Sequence, residues 1–118
     1  MALVRLGGIE PLGIHRQGQS SAPNRTRWIP PLMLILAAST GKNLELARSI
    51  ESEAINQAMG CKVLDLCALN LPLFQPALKE QGPGESFKEL EQAMGQHHGL
   101  FVCAPEYNGS IPPSLTNA

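Results

Sequence analysis

The feature that most constrains the fold of this chain is a short run of apolar residues from Met33 to Ala38. Pro31 precedes the run, and the polar residues Ser39 and Thr40 follow it. A continuous apolar run of this length, without alternating polar positions, is typical of a strand that is buried on both faces, as in a parallel sheet. Because parallel strands are joined by crossover connections, helices are expected between the strands of this chain.

The residues after this run show the expected alternation of helices and strands. Apolar residues at steps of three and four predict an amphipathic helix from Lys42 to about Met59, ended by Gly60. Further short apolar runs predict strands from Lys62 to Cys67 and from Gly99 to Ala104. The first two strands and the helix between them would form a right-handed βαβ unit.

A loop and a second helix are predicted between the second and third strands. Prolines keep residues 68–84 irregular, and Ser86 to Glu89 match a capping box that would start the helix. Phe87 and Leu90 would lie on the buried face of that helix. The element order is therefore β-α-β-loop-α-β, and the predicted fold class is α/β, with a parallel sheet and flanking helices.

Composition excludes several classes of function. The chain has 118 residues, 43% of them hydrophobic, and a net charge of −1, which indicates one globular domain and argues against a nucleic-acid partner. The longest apolar stretch, residues 30–38, is far shorter than the roughly 20 residues of a membrane-spanning helix, so no membrane partner is expected. The cysteines lack C-x-x-C spacing, which argues against a disulfide framework or a metal site and favours a cytoplasmic location.

Residues 1–32 differ in composition from the rest of the chain. They contain four arginines, no lysine and a single acid, Glu10, and their glycines and prolines interrupt any regular pattern. They are predicted to be a disordered or non-native extension, with residues 33–118 as the folded domain. An organelle transit peptide is the alternative interpretation of an arginine-rich, acid-poor leader.

The turn after the first strand has the residues of a phosphate site. Ser39 and Thr40 supply hydroxyls, and Lys42 and Asn43 begin the helix, whose free backbone N–H groups favour an anion. The turn is not a Walker P-loop, because Leu36 occupies the position of that motif's first glycine. The alternative is an ordinary helix cap, for which Ser, Thr and Asn are common residues.

The most specific feature of the chain is the turn after the third strand, which reads P-E-Y-N-G-S-I-P from Pro105 to Pro112. It resembles the corresponding loop of the NADPH-dependent FMN reductase family, which includes quinone, azo-dye and chromate reductases. The matching residues to which the resemblance assigns cofactor binding are Pro105, Glu106, Tyr107, Asn108 and Gly109. The alternative is an ordinary turn, since Pro, Asn and Gly are all turn residues.

The resemblance implies a flavodoxin-like fold, whose five parallel strands lie in the order 2-1-3-4-5. Only strands 1 to 3 are found in this sequence, so an incomplete sheet is expected, from a truncated chain or a fragment that needs a partner. The strand from Leu100 to Cys103 would then lie at an exposed sheet edge. The resemblance further implies FMN and NAD(P)H as cofactors, a quinone-like or other small-molecule electron acceptor, and a homodimer for the full-length parent.

The first turn departs from the family pattern S-x-R-x-x-S-x-N and is closer to the T-G-x-T turn of flavodoxins. This departure keeps a flavodoxin-like electron carrier open as an alternative function. The short sheet keeps open a further alternative, in which the chain is a non-enzymatic remnant that binds no cofactor.

The other reactive residues have structural interpretations. Cys67 and Cys103 are expected to be small buried residues at strand ends. His97 and His98 are expected to cap the last carbonyls of the preceding helix. The resemblance assigns Glu106 to cofactor binding, so no catalytic residue is predicted.

Overall fold

The structure, a computed structural model, describes residues 2–5, 29 and 31–118. Four strands and five helices are found in these residues. The strands are β1 (Ala2–Arg5), β2 (Met33–Ala37), β3 (Cys61–Asp65) and β4 (Gly99–Cys103). The helices are α1 (Lys42–Asn56), α2 (Leu66–Leu69), α3 (Leu78–Gln81), α4 (Glu85–Gln96) and α5 (Pro113–Asn117).

The four strands form one sheet in the order β1-β4-β2-β3. The central strand β2 is parallel to both of its neighbours, with Met33 opposite Cys61 in β3 and opposite Gly99 in β4. The three parallel strands therefore follow the order 2-1-3 of a flavodoxin-like sheet. The predicted α/β class, its parallel sheet and its three strands are confirmed, and the described residues hold three of the five parallel strands of that fold.

The core lies on both faces of β2, as its uninterrupted apolar sequence predicts. Leu34 and Leu36 pack on one face with Leu90 of α4, and Ile35 and Ala37 pack on the other with Ala47 of α1. Successive side chains of a strand point to opposite faces, so one short run supplies both halves of the core. The two long helices consequently cover opposite faces of the sheet.

Helix α1 begins where the sequence predicts and ends earlier. The residue with the left-handed conformation after its last turn is Ala58, at φ 57°, and not Gly60. The backbone N–H of Met59 then bonds to the carbonyl of Ala54 at 2.8 Å, which closes the helix end in the manner usual for glycine.

The predicted capping box at Ser86 to Glu89 is wrong. Helix α4 begins two residues after Pro83, its N-cap is Gly84, and no side chain caps it. The first helical turn of α4 is instead bridged by an ion pair between Lys88 Nζ and Glu85 Oε1, which lie 2.7 Å apart. Phe87, which the pattern placed on the buried face of the helix, is 45% exposed.

The second parallel strand lies one residue earlier than predicted and ends sooner. Asp65 ends β3, and its carboxylate accepts hydrogen bonds from the N–H groups of Cys67 and Ala68, which starts the short helix α2. An Asp at this position is a strong N-cap, so the chain turns where the sequence suggested a longer strand. Cys67, expected to be buried, is exposed, whereas Cys103 is buried.

The outer edge of β4 is covered, contrary to the expectation of an exposed edge. Residues Ala2–Arg5 form β1 and pair antiparallel with β4, with Ala2 opposite Val102 and Arg5 opposite Gly99. Glycines and prolines interrupt any regular pattern in residues 1–32, so the sequence predicts disorder there, but Ala2–Arg5 form this strand. The disorder predicted for residues 6–28 lies outside the described residues.

None of the helices in the described residues combines the length and the apolar composition needed to cross a membrane.

Candidate functional site

The two turns singled out from the sequence start side by side at the carboxyl end of the parallel strands. Ala37 and Cys103 are the last paired residues of β2 and β4. One residue further, the N–H of Ala38 donates to the carbonyl oxygen of Cys103 at 2.9 Å. The first turn (residues 39–43) and the second turn (residues 104–112) therefore leave the sheet from neighbouring positions beyond the carboxyl ends of the strands, where open α/β sheets bind ligands.

The first turn is braced by its own polar side chains. Asn43 Nδ2 donates to Ser39 Oγ at 3.0 Å, and Ser39 Oγ lies 3.4 Å from the carbonyl oxygen of Thr40. Ser39 is only 9% exposed, whereas Thr40 and Lys42 are exposed. The structure thus divides the predicted residues into a bracing pair and an exposed pair that a ligand can reach.

The start of α1 has no side-chain cap. Gly41 is the N-cap, at φ 68°, and no side chain bonds to the first helical N–H groups. The alternative of an ordinary Ser, Thr or Asn cap therefore does not describe this turn. Free N–H groups at the positive end of a 15-residue helix, with the cation of Lys42 beside them, form an environment that stabilises an anion.

The second turn contains a tight hairpin. Tyr107 and Ser110 exchange two backbone hydrogen bonds of 2.9 Å, and the two residues between them, Asn108 and Gly109, have φ of 51° and 76°. Two consecutive positive φ values are those of a type I′ turn, for which Asn-Gly is the preferred pair. The N–H of Gly109 also donates to Glu106 Oε1 at 3.1 Å, so the Glu106 carboxylate braces the turn from inside.

A cleft of about 460 Å³ lies along the second turn, within the range of roughly 300–1,000 Å³ that is usual for small-molecule sites. Six residues of the turn lie on its wall: Ala104, Pro105, Glu106, Gly109, Ser110 and Ile111. Val102 and Leu115 add apolar surface from β4 and α5. Tyr107 and Asn108 are exposed and do not line this cleft, and neither do the residues of the first turn.

Two polar residues of helix α5, neither of them predicted from the sequence, bond to Ala38 and to the segment after α2. Ser114 Oγ donates to the carbonyl oxygen of Ala38. Asn117 donates from Nδ2 to the carbonyl oxygens of Leu71 and Pro72, at 3.3 and 3.0 Å, and accepts at Oδ1 from the N–H of Phe74 at 3.1 Å. No local pattern signals these contacts, because each joins residues more than 40 positions apart.

The three thiols of the chain differ in environment. Burial raises the pKa of Cys103, and burial followed by the nearby Glu51 carboxylate raises the pKa of Cys61. Cys67 is exposed, and its sulfur lies 3.8 Å from the carbonyl oxygen of Ala38. His97 fulfils its predicted capping role, with Nδ1 2.6 Å from the carbonyl oxygen of Ala93, whereas His98 Nδ1 accepts from the N–H of Leu32 at 3.0 Å.

A parallel sheet in the order 2-1-3, with two polar turns at adjacent strand ends, defines a flavodoxin-like α/β protein. Comparison with known proteins assigns the family: residues 31–118 match the NADPH-dependent FMN reductases, and the chain belongs to this family. The resemblance drawn from the second turn is thereby confirmed.

Two curated relatives are similar over part of their length. A quinone reductase of Pseudomonas putida strain KT2440 is 28% identical over 76 residues, which are 64% of this chain and 39% of that protein. A second quinone reductase of Pseudomonas putida is 26% identical over the same shares. The chain thus aligns with about two fifths of the length of these relatives. No solved structure matches it.

The side chains and backbone of the two turns fit the chemistry of FMN. A phosphate needs N–H and hydroxyl donors and a positive potential, which the uncapped start of α1, Thr40 and Lys42 supply. A planar ring needs a rigid, partly apolar wall, and the second turn supplies one next to Val102 and Leu115.

Proposed function

We propose that these residues form the FMN-binding part of a cytoplasmic NAD(P)H-dependent oxidoreductase that reduces a quinone-like or other small acceptor. The observation that carries the proposal is the pair of turns that follow Ala38 and Cys103, two residues joined by a 2.9 Å hydrogen bond, in a chain of the FMN reductase family. The two relatives, both quinone reductases, support the class of acceptor.

The first turn would hold the phosphate of FMN. Thr40 would donate its hydroxyl, Lys42 would supply the counter-charge, and the N–H groups at the start of α1 would donate the remaining hydrogen bonds. Ser39 and Asn43, which bond to each other at 3.0 Å, would keep the turn in shape. A preformed turn loses little conformational entropy on binding.

The second turn would hold the flavin ring system. Its type I′ hairpin fixes the backbone between Tyr107 and Ser110, so that the backbone N–H and C=O groups of the turn that are not used in these bonds would face a constant position. Glu106 would act mainly as a brace for Gly109, and Tyr107, which is 50% exposed, offers a ring for stacking. Bound FMN would supply the two-electron chemistry between NAD(P)H and the acceptor, which protein side chains lack.

A homodimer is part of the proposal. It follows from the resemblance to the NADPH-dependent FMN reductase family alone. Sedimentation velocity tests this part on its own, with a monomer at micromolar concentration as the contradicting result.

The flavodoxin-like electron carrier remains the competing function, favoured by the short first turn. Both functions require FMN, but only the reductase consumes NAD(P)H. Titration with FMN, followed by NADPH oxidation with and without a quinone, separates them. Flavin binding without NADPH oxidation would favour the carrier, and absence of flavin binding would refute both.

A further inference from the structure

Ala38, the residue directly before the first turn, is held from two directions, through its N–H and through its C=O. The carbonyl oxygen of Ala38 accepts a hydrogen bond from Ser114 Oγ, across 76 positions of sequence. The N–H of the same residue donates to the carbonyl oxygen of Cys103. Ala38 is 2% exposed, so both of its backbone groups need partners within the protein.

Two of the groups bonded to Ala38, those of Cys103 and Ser114, stand at opposite ends of the second turn. The thiol of Cys67 is a third and longer contact, with its sulfur 3.8 Å from the Ala38 carbonyl oxygen. Cys103 is the residue directly before that turn, and Ser114 follows its last residue, Pro112, by two positions. The second turn is therefore a loop whose two flanking segments are both bonded to the residue directly before the first turn. Pro112 is fully buried, which fixes the returning end of the loop further.

From this arrangement we infer that Ser114 is a positioning residue, which sets the distance between the first and second turns and thereby the preference of the site for FMN over riboflavin. The inference rests on the proposed function. FMN contacts both turns, whereas riboflavin lacks the phosphate and depends on the second turn alone. A phosphate adds to affinity only where the first turn lies at the correct distance from the ring site, because linked contacts act together only in a compatible geometry.

The chain offers a matched control on the same helix. Thr116, two residues after Ser114, also carries a hydroxyl in α5, but its Oγ1 contacts only the carbonyl oxygen of Pro112, at 3.3 Å, one turn earlier. Thr116→Ala removes a hydroxyl from α5 without touching Ala38. Ser114→Thr keeps the hydroxyl that reaches Ala38, whereas Ser114→Ala removes it.

The experiment is titration of the 118-residue chain with FMN and with riboflavin, followed by quenching of flavin fluorescence. Ser114→Ala is expected to lower the ratio of FMN affinity to riboflavin affinity about tenfold, equivalent to ~1.4 kcal/mol. Ser114→Thr and Thr116→Ala are expected to keep the wild-type ratio. General destabilisation of the fold would weaken both ligands together and leave the ratio unchanged.

A flavin-independent measurement accompanies the titration. In the ligand-free chain, amide hydrogen exchange of residues 39–44 is expected to accelerate in Ser114→Ala and not in Thr116→Ala. An unchanged affinity ratio, in a chain that prefers FMN to riboflavin, would overturn this inference and leave the proposed function standing. A wild-type chain that binds neither flavin would overturn both.

Discussion

Asn43 donates its side-chain amide to Ser39 Oγ at 3.0 Å, and this bond joins the start of the first turn to the second residue of α1. Asn43→Ala removes the donor, and we expect weaker FMN binding because the turn loses its brace. Asn43→Asp should weaken FMN binding further, since its charge repels the phosphate. The same charge at a helix start stabilises the ligand-free protein by about 0.3–1 kcal/mol relative to Asn43→Ala.

Calorimetric FMN titration and urea unfolding of the ligand-free protein measure the two effects separately. Opposite directions for affinity and stability in Asn43→Asp are the signature of an anion site. If Asn43→Asp bound FMN as tightly as the wild type, the phosphate would not lie at this turn.

Gly109 has φ 76° with open space around its Cα, so a methyl group fits there but the backbone does not suit it. We expect Gly109→Ala to lower the free energy of unfolding by about 1–2 kcal/mol, the cost of a left-handed conformation for an L-residue. Gly95→Ala is the matched control, because Gly95 lies in α4, also with open space, and alanine there should raise stability by about 0.5 kcal/mol. Equal effects of the two substitutions would refute the role of φ.

Leu34 is fully buried at the centre of the sheet, where it packs against residues of two other strands and of α4. Leu34→Ala should lower the free energy of unfolding by about 2–5 kcal/mol, since it leaves a cavity in a packed core. Ile55→Ala, on a side chain that is 60% exposed, should change it by less than about 0.5 kcal/mol. Urea unfolding of both variants checks the difference, and a small effect at Leu34 would argue against this core.

Asn117 holds the segment after α2 through three hydrogen bonds to its backbone. Asn117→Ala removes all three, and chymotrypsin should cleave faster after Phe74, whose ring is 69% exposed. Asn117→Asp keeps the acceptor for the N–H of Phe74 and should give an intermediate rate. Thr116→Ala serves as the control, and equal cleavage in all variants would show that Asn117 does not restrain the segment.

The raised pKa values of two thiols predict how the free energy of unfolding changes in alkaline solution. The pKa of Cys103 is raised in the folded chain by burial, and that of Cys61 by burial and by the Glu51 carboxylate. Above the ordinary thiol pKa of about 8.5, the unfolded chain therefore loses these protons first, and the free energy of unfolding should fall until the raised folded pKa values are passed. Below that window the contribution is fully present.

Urea unfolding between pH 7 and 10 measures this slope. Cys103→Ala should be less stable at every pH, because it loses buried volume, but its stability should fall less steeply above pH 8.5. A slope identical to that of the wild type would exclude Cys103 as one of the groups responsible.

Prediction from the sequence succeeded where a signal was local and repeated. The run from Met33 to Ala38 gave a buried central strand, and the periodicity after Lys42 gave α1. It failed where one polar residue competed with a longer pattern, as when Asp65 capped α2 and shortened β3. A capping box needs the serine outside the helix, and Ser86 lies inside α4, because the helix starts at Glu85.

At the candidate site, too, the features that depend on neighbouring residues could be predicted and the others could not. The residue types of both turns, and the Asn-Gly pair that requires positive φ, are visible in the sequence because they depend on neighbouring residues. The sequence does not show which residues of the first turn brace it and which are exposed. The burial of Ser39 depends on the residues that pack against it in the folded chain.

The sequence by itself determined the class of the fold, the central strand and the family, through the apolar run at Met33 and the turn from Pro105 to Pro112. Only the tertiary structure decided that β1 covers the edge of β4 and that Ser114 bonds to Ala38. The reason is physical: backbone propensity and turn chemistry act within a few residues, whereas a strand partner or a hydrogen bond across 76 positions exists only after the core has brought the two segments together.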